Sequence, residues 1–179
     1  MDTENCVIET AKLIRLVIFD VDGVLTDGRL YFSDTDQEYK SFHARDGLGM
    51  VMLQNTGVTI GIITARESLV VTNRMQKLGI KHIFQGKFDK LTAFEQLRKE
   101  LQLDYQQVAY VGDDILDIPV MSKVGLAIAV ADADKLVVKY SHWQTQTNGG
   151  KGAAREVCEL IMQSQDTWNS QLNQYGILC

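Results

Sequence analysis

Five short apolar runs, at 13–19, 58–63, 82–85, 108–111 and 125–130, decide most of what this chain can fold into. Their Val, Ile and Leu residues follow one another instead of alternating with polar ones, which marks strands covered on both faces. Helical patterns fill the gaps at 46–55, 68–78, 90–101 and 115–123. Strand and helix in repeated alternation predict an α/β fold, a parallel, Rossmann-like sheet doubly wound with helices and joined by right-handed crossovers. A further helix over 153–165 follows "TNGGKG", and the tail at 166–179 reads as ragged and mobile. With 179 residues, one domain with a substantial core is expected.

One segment breaks the alternation. "GRLYFSDTDQEYKSF", residues 28–42, has two aromatic-rich arms about a polar turn and predicts a β-hairpin. An isolated hairpin is marginal in water, so Leu30, Phe32, Tyr39 and Phe42 need a surface, either the parent domain or a neighbouring subunit.

The formal charge of −5 and the absence of a basic stripe argue against a nucleic-acid partner. The acidic "MDTENCVIETAK" lacks the positive region of a signal peptide, and no apolar run reaches the ~20 residues of a membrane span. Cys6, Cys158 and Cys179 form no CxxC, and reduced thiols in a cytoplasmic protein are the expectation.

Ligands of open α/β sheets bind beyond the carboxyl ends of the strands, so the residues there carry the functional reading. The first run ends in Asp20 and Asp22. The second ends in Thr64, within "IITARES". Lys87 follows the third, in "FQGKFDK". The fourth ends in "VGDDILD", with Asp113, Asp114 and Asp117. Carboxylates crowded at the end of a buried strand repel one another and resist desolvation, unless a divalent cation sits among them. Mg²⁺ takes oxygen ligands, with water and phosphate completing its shell, and Mn²⁺ or Co²⁺ could substitute. A lysine and a hydroxyl beside that metal make a phosphoryl site. There one Asp can act as nucleophile and another as general acid and base.

Each residue has a plainer reading. Asp20 and Asp22 could be turn residues, Asp114 an N-cap, and Thr64 a β-branched strand end. Between Lys87 and Lys90, Gly86 favours Lys87 by permitting a close approach to a ligand. The guanidinium fork of Arg66 suits a substrate carboxylate or phosphate. Asp46 is expected to cap the first helix. Lys151 and Arg155 either approach a neighbour's site or begin a solvated helix. The three histidines have no metal-ligand spacing, and neither "GLGMVM" nor "NGGKGAA" completes a nucleotide-binding fingerprint.

Taken together, "DVDGVLTDG", Thr64, Lys87 and "GDDILD" resemble the four motifs of the haloacid dehalogenase-like phosphohydrolases, in order and on the expected strand ends. "FDVDGVLTDGRLYF", "FHARDGLGM", "GDDILDIPVM" and "GGKGAAREVCELI" are similar to one branch of that family. Its members lack a cap domain and remove phosphate from 3-deoxy-D-manno-octulosonate 8-phosphate for lipopolysaccharide synthesis. The resemblance implies Mg²⁺ dependence, Asp20 as nucleophile and Asp22 as general acid/base. It implies metal ligation by Asp20, the Asp22 carbonyl and Asp113, phosphate binding by Thr64 and Lys87, and support from Asp114 and Asp117. It also implies a homotetramer in which the hairpin helps close a neighbour's site. The gaps between motifs are too short for a cap domain. The alternatives are a phosphatase for another sugar acid, such as a nonulosonate 9-phosphate, and a non-catalytic assembly module, which the presence of Asp20 and Asp22 disfavours.

Overall fold

A computed structural model describes residues 3–177. Its centre is β1 (Leu16–Phe19), flanked by β4 (Thr59–Ile63) and β6 (Val108–Gly112). With β5 (His82–Phe84), β7 (Leu126–Ala129) and β8 (Trp143–Gln144), these form one sheet in the order β5-β4-β1-β6-β7-β8. Every pairing in it is parallel. Successive side chains enter opposite cores. Val17 and Phe19 pack with residues of α2 (Ala44–Asn55), α3 (Leu69–Lys77) and α7 (Ala153–Ser164). Leu16 and Ile18 pack with α4 (Lys90–Glu100), α5 (Ile118–Met121) and α6 (Lys135–Lys139). Burial on both faces is why the apolar runs do not alternate.

The order reverses direction beside β1, and a crevice opens at such a switch point. Register aligns the strand ends there. Phe19 is level with Ile62 on one side and Val111 on the other. Asp20, Thr64 and Asp113 therefore leave three adjacent strands at nearly one height.

The hairpin forms as expected, from β2 (Tyr31–Phe32) and β3 (Glu38–Tyr39), outside the main sheet. Phe42 packs on the parent core, whereas Leu30, Tyr31, Phe32 and Tyr39 remain exposed.

Elsewhere the chain departs from the expectations. β8 is a sixth strand, only two residues long and too short to leave a periodic signal. α1 (Thr3–Lys12) precedes β1 and buries Val7 and Ala11 on one face. The tail is not ragged through residue 174: α8 (Trp168–Gln174) packs Trp168 and Leu172 against the core. Cys179 lies outside the described residues. The helix expected over 115–123 is a 3-10 turn, Ile115–Asp117, followed by α5 with Pro119 in its first turn, where its missing N–H costs nothing. Asp46 does not cap its own helix. It lies inside α2, and its carboxylate accepts the Arg155 N–H at 2.9 Å, at the start of α7. Among the described residues no helix is long and apolar enough to cross a membrane.

Candidate active site

Asp20 continues β1 for one residue and is almost wholly buried. Its Oδ1 accepts the Val21 N–H at 2.7 Å, and its Oδ2 lies 2.8 Å from Lys90 Nζ. Asp113 follows β6, and its Oδ1 is buried without a hydrogen-bond partner. Gly23 makes this approach possible. It sits at φ +93°, and a Cβ there would come 2.0 Å from Asp113 Oδ2. Thr64, also buried, directly follows β4, and the Lys87 N–H donates to its carbonyl at 3.0 Å.

Asp117 is fully buried, and both its oxygens are taken. Oδ1 accepts from Lys90 Nζ and the Tyr110 hydroxyl, each at 2.6 Å. Oδ2 accepts the N–H groups of Asp113 at 3.0 Å and Asp114 at 3.2 Å. Asp117 is thus an anchor, holding the turn after β6 and aiming a lysine at Asp20.

That lysine is Lys90, and the preference for Lys87 is corrected here. Asp89 caps α4 by accepting the Thr92 N–H at 3.1 Å, which makes Lys90 the first helical residue and turns its side chain back into the strand ends. The Lys87 side chain is exposed. Spacing alone did not separate the two, but an Asp cap directly before Lys90 was a usable signal. Asp114 is exposed and accepts the Ile115 N–H at 2.7 Å, so its side chain is a cap outside the cluster.

Asp22 faces the other way, toward the hairpin. Its Oδ1 pairs with Lys40 Nζ, and its Oδ2 is 3.8 Å from Arg66 Nε. Glu38 accepts from Arg66 at 3.3 Å, and its Oε1 lies 3.3 Å from Lys40 Nζ. The sequence reading passed over Glu38, Lys40 and Tyr110. Their contacts arise only when the hairpin folds back and β6 turns its side chain into the site.

Carboxylate oxygens of Asp20, Asp113 and Asp117 lie within 4.8 Å of one another, with one ammonium among them. Burial, then the charge of Asp117, pushes Asp20 up to about 7 despite Lys90. Burial, then Asp20 and Asp117, pushes Asp113 up to about 8. Burial pulls the Lys90 ammonium down, but the two aspartates outweigh it and hold the group above its ordinary value. Such a cluster lacks positive charge, and the unpartnered Asp113 Oδ1 offers a lone pair toward the shared space. A hard, oxygen-seeking divalent cation fits that donor set.

The family model described as haloacid dehalogenase-like hydrolase matches residues 64–157. A 3-deoxy-D-manno-octulosonate 8-phosphate phosphatase of Yersinia pestis is 47% identical over 160 residues, which cover 89% of this chain and 86% of that protein. The chain belongs to the haloacid dehalogenase-like hydrolases. The structure of this hydrolase matches that of the Moraxella catarrhalis 3-deoxy-D-manno-octulosonate 8-phosphate phosphatase, solved with magnesium, phosphate and the sugar acid. The TM-score is 0.94 at 38% identity, over 96% of this chain and 98% of that one. It also matches the cobalt-bound phosphatase of Haemophilus influenzae, with a TM-score of 0.85 at 41% identity, over 88% and 92% of the two chains.

Proposed function

We propose that this hydrolase removes phosphate from 3-deoxy-D-manno-octulosonate 8-phosphate, releasing free 3-deoxy-D-manno-octulosonate for lipopolysaccharide synthesis. The observation that carries the reading is the meeting of Asp20, Thr64, Lys90 and Asp113 at one sheet edge, in a chain 47% identical to a phosphatase of that name.

Asp20 attacks phosphorus, an O–P bond forms, and the bond from phosphorus to the sugar oxygen breaks. Asp22 gives its proton to that oxygen, and the sugar acid leaves. Asp22, now a carboxylate, takes a proton from water as the water oxygen attacks the aspartyl phosphate. The P–O bond to Asp20 breaks, phosphate leaves, and both aspartates return to their starting states. Thr64 and Lys90 bind the phosphoryl oxygens. Arg66 meets the sugar acid at the mouth, and Asp117 keeps Lys90 in place. Asp20, the Asp22 carbonyl and Asp113 would hold Mg²⁺, with Mn²⁺ or Co²⁺ as substitutes. Bound there, the ion supplies neutralisation of phosphoryl charge.

The same reading gives the enzyme a neighbour, in a homotetramer. Exposed apolar side chains ring the strand ends: the hairpin aromatics, Leu69 at 80% and Phe88 at 74% exposure. Among the described residues no cap covers them, and a second copy would both bury this patch and shield the site from water. A cytoplasmic location agrees with the unpaired thiols Cys6 and Cys158.

The test is phosphate release with Mg²⁺ over a panel of phosphorylated sugars and sugar acids. A kcat/KM preference for 3-deoxy-D-manno-octulosonate 8-phosphate is expected. A preference for a nonulosonate 9-phosphate moves the substrate, and no release from any compound favours an assembly module.

A further inference from the structure

The two aspartates of "DVDG" are served by different lysines. Lys90 pairs with Asp20 from the helix side. Lys40 pairs with Asp22 from the hairpin side, and its side chain is only 2% exposed. Lys40 also meets Glu38 at 3.3 Å, and Glu38 meets Arg66 at 3.3 Å. With Arg66 Nε 3.8 Å from Asp22 Oδ2, the ring closes. It contains two cations and two anions. Two of its members, Glu38 and Lys40, belong to the hairpin, whose Tyr31, Phe32 and Tyr39 side chains remain exposed. Among the described residues, Lys40 is the only side chain that hydrogen-bonds Asp22.

We infer that Lys40 is a positioning residue for the general acid. It fixes the Asp22 carboxyl group in the orientation that meets the leaving oxygen, and through it the hairpin's placement controls proton delivery. An aspartate in a turn has two side-chain torsions to lose, and a misplacement of 1 Å at a reacting group costs about 10²-fold. Acting through Asp22, Lys40 has an effect that follows the need for a proton, whereas an effect passed through Glu38 to Arg66 would persist without Asp22. A sugar alkoxide needs one to leave, whereas p-nitrophenolate leaves without one.

The inference rests on the phosphatase reading and on Asp22 as acid. The experiment measures kcat/KM for 3-deoxy-D-manno-octulosonate 8-phosphate and for p-nitrophenyl phosphate, with Mg²⁺, in the wild type, Lys40→Met, Lys40→Arg, Asp22→Asn and the Lys40→Met/Asp22→Asn double variant. Lys40→Met is expected to lose about 10- to 100-fold on the sugar phosphate and less than about threefold on the aryl phosphate. Lys40→Arg recovers part of the loss. In the Asp22→Asn background, Lys40→Met adds no more than about twofold, because the two act as a unit. The ratio of kcat/KM for the two substrates is taken on one preparation, so a loss of folded protein cancels in it, and comparisons between variants are made per folded protein by circular dichroism. Equal losses on both substrates overturn the inference, as does a full Lys40→Met effect that persists without Asp22. If Asp22→Asn shows no preference between leaving groups, the acid assignment fails and the inference falls with it.

Discussion

At the scale of single residues the site is a problem of charge. Asp20 and Asp113 are held at about 7 and about 8, against an ordinary value of 3.8. Below the ordinary value both are protonated whether the chain is folded or not. As pH rises from there to about 8, the unfolded chain releases these protons before the folded one does, so stability falls with pH and levels off above that range. Metal-free protein is therefore expected to melt at a lower temperature at pH 8 than at pH 5. Mg²⁺ must displace the same protons, so its stabilisation grows over that interval. A hundredfold excess over Kd contributes about 2.7 kcal/mol, on the order of 5–10 °C, and thermal melts at both pH values with and without the ion check this. Asp20→Asn keeps the side-chain shape and loses the nucleophile. Phosphate release is expected to fall on the order of 10⁴-fold or more while circular dichroism stays unchanged.

The lysines separate the two readings of "GKFDK". Lys90→Ala leaves Asp20 and Asp117 without their ammonium, a loss of about 3–5 kcal/mol for a broken buried pair, and activity falls with it. Lys87→Ala is expected to change both little, as steady-state kinetics and urea denaturation will show. Asp20, Thr64 and Asp113 were legible because each follows an apolar run by at most two residues, and strand ends are fixed by burial. Lys90 was not, because its place depends on where a helix begins. Glu38 and Lys40 were invisible for another reason: they meet Asp22 and Arg66 only through the return of the hairpin, and nothing in local sequence encodes that distance.

At the scale of elements, the sheet was legible and its margins were not. The four-residue run of Leu, Val, Ile and Phe announces β1 without ambiguity, whereas β8 has two residues, and α1 has only short, scattered apolar positions such as Val7 and Ala11. The hairpin is the element with the least support of its own, since its aromatics are exposed and charged contacts tether it. Phe32→Asp with Tyr39→Asp is expected to lower the assembly state in sedimentation and to reduce kcat/KM by about tenfold or more, if positioning by a neighbour contributes as such contacts do. Retention of both the assembly and full turnover would show that the hairpin needs no neighbour.

At the scale of the whole molecule, the loop before α7 closes over the first catalytic turn. The Gly150 N–H donates to the Val24 carbonyl at 2.9 Å, and a Cβ on Gly149 would come 1.7 Å from the Gly23 carbonyl oxygen. Gly149→Val is expected to displace the Asp22–Gly23 turn and lower both Mg²⁺ affinity, by titration calorimetry, and turnover. β1 likewise lacks one neighbour until β6 is in place. During synthesis, at about 5–20 residues per second, Asp20 leaves the ribosome on the order of ten seconds before Gly150 does. Over that interval the nascent chain holds its nucleophile without the loop that closes over it, so a ribosome stalled between Asp117 and Gly149 is expected to yield a product with every carboxylate of the site and no Gly150–Val24 bond to brace the catalytic turn.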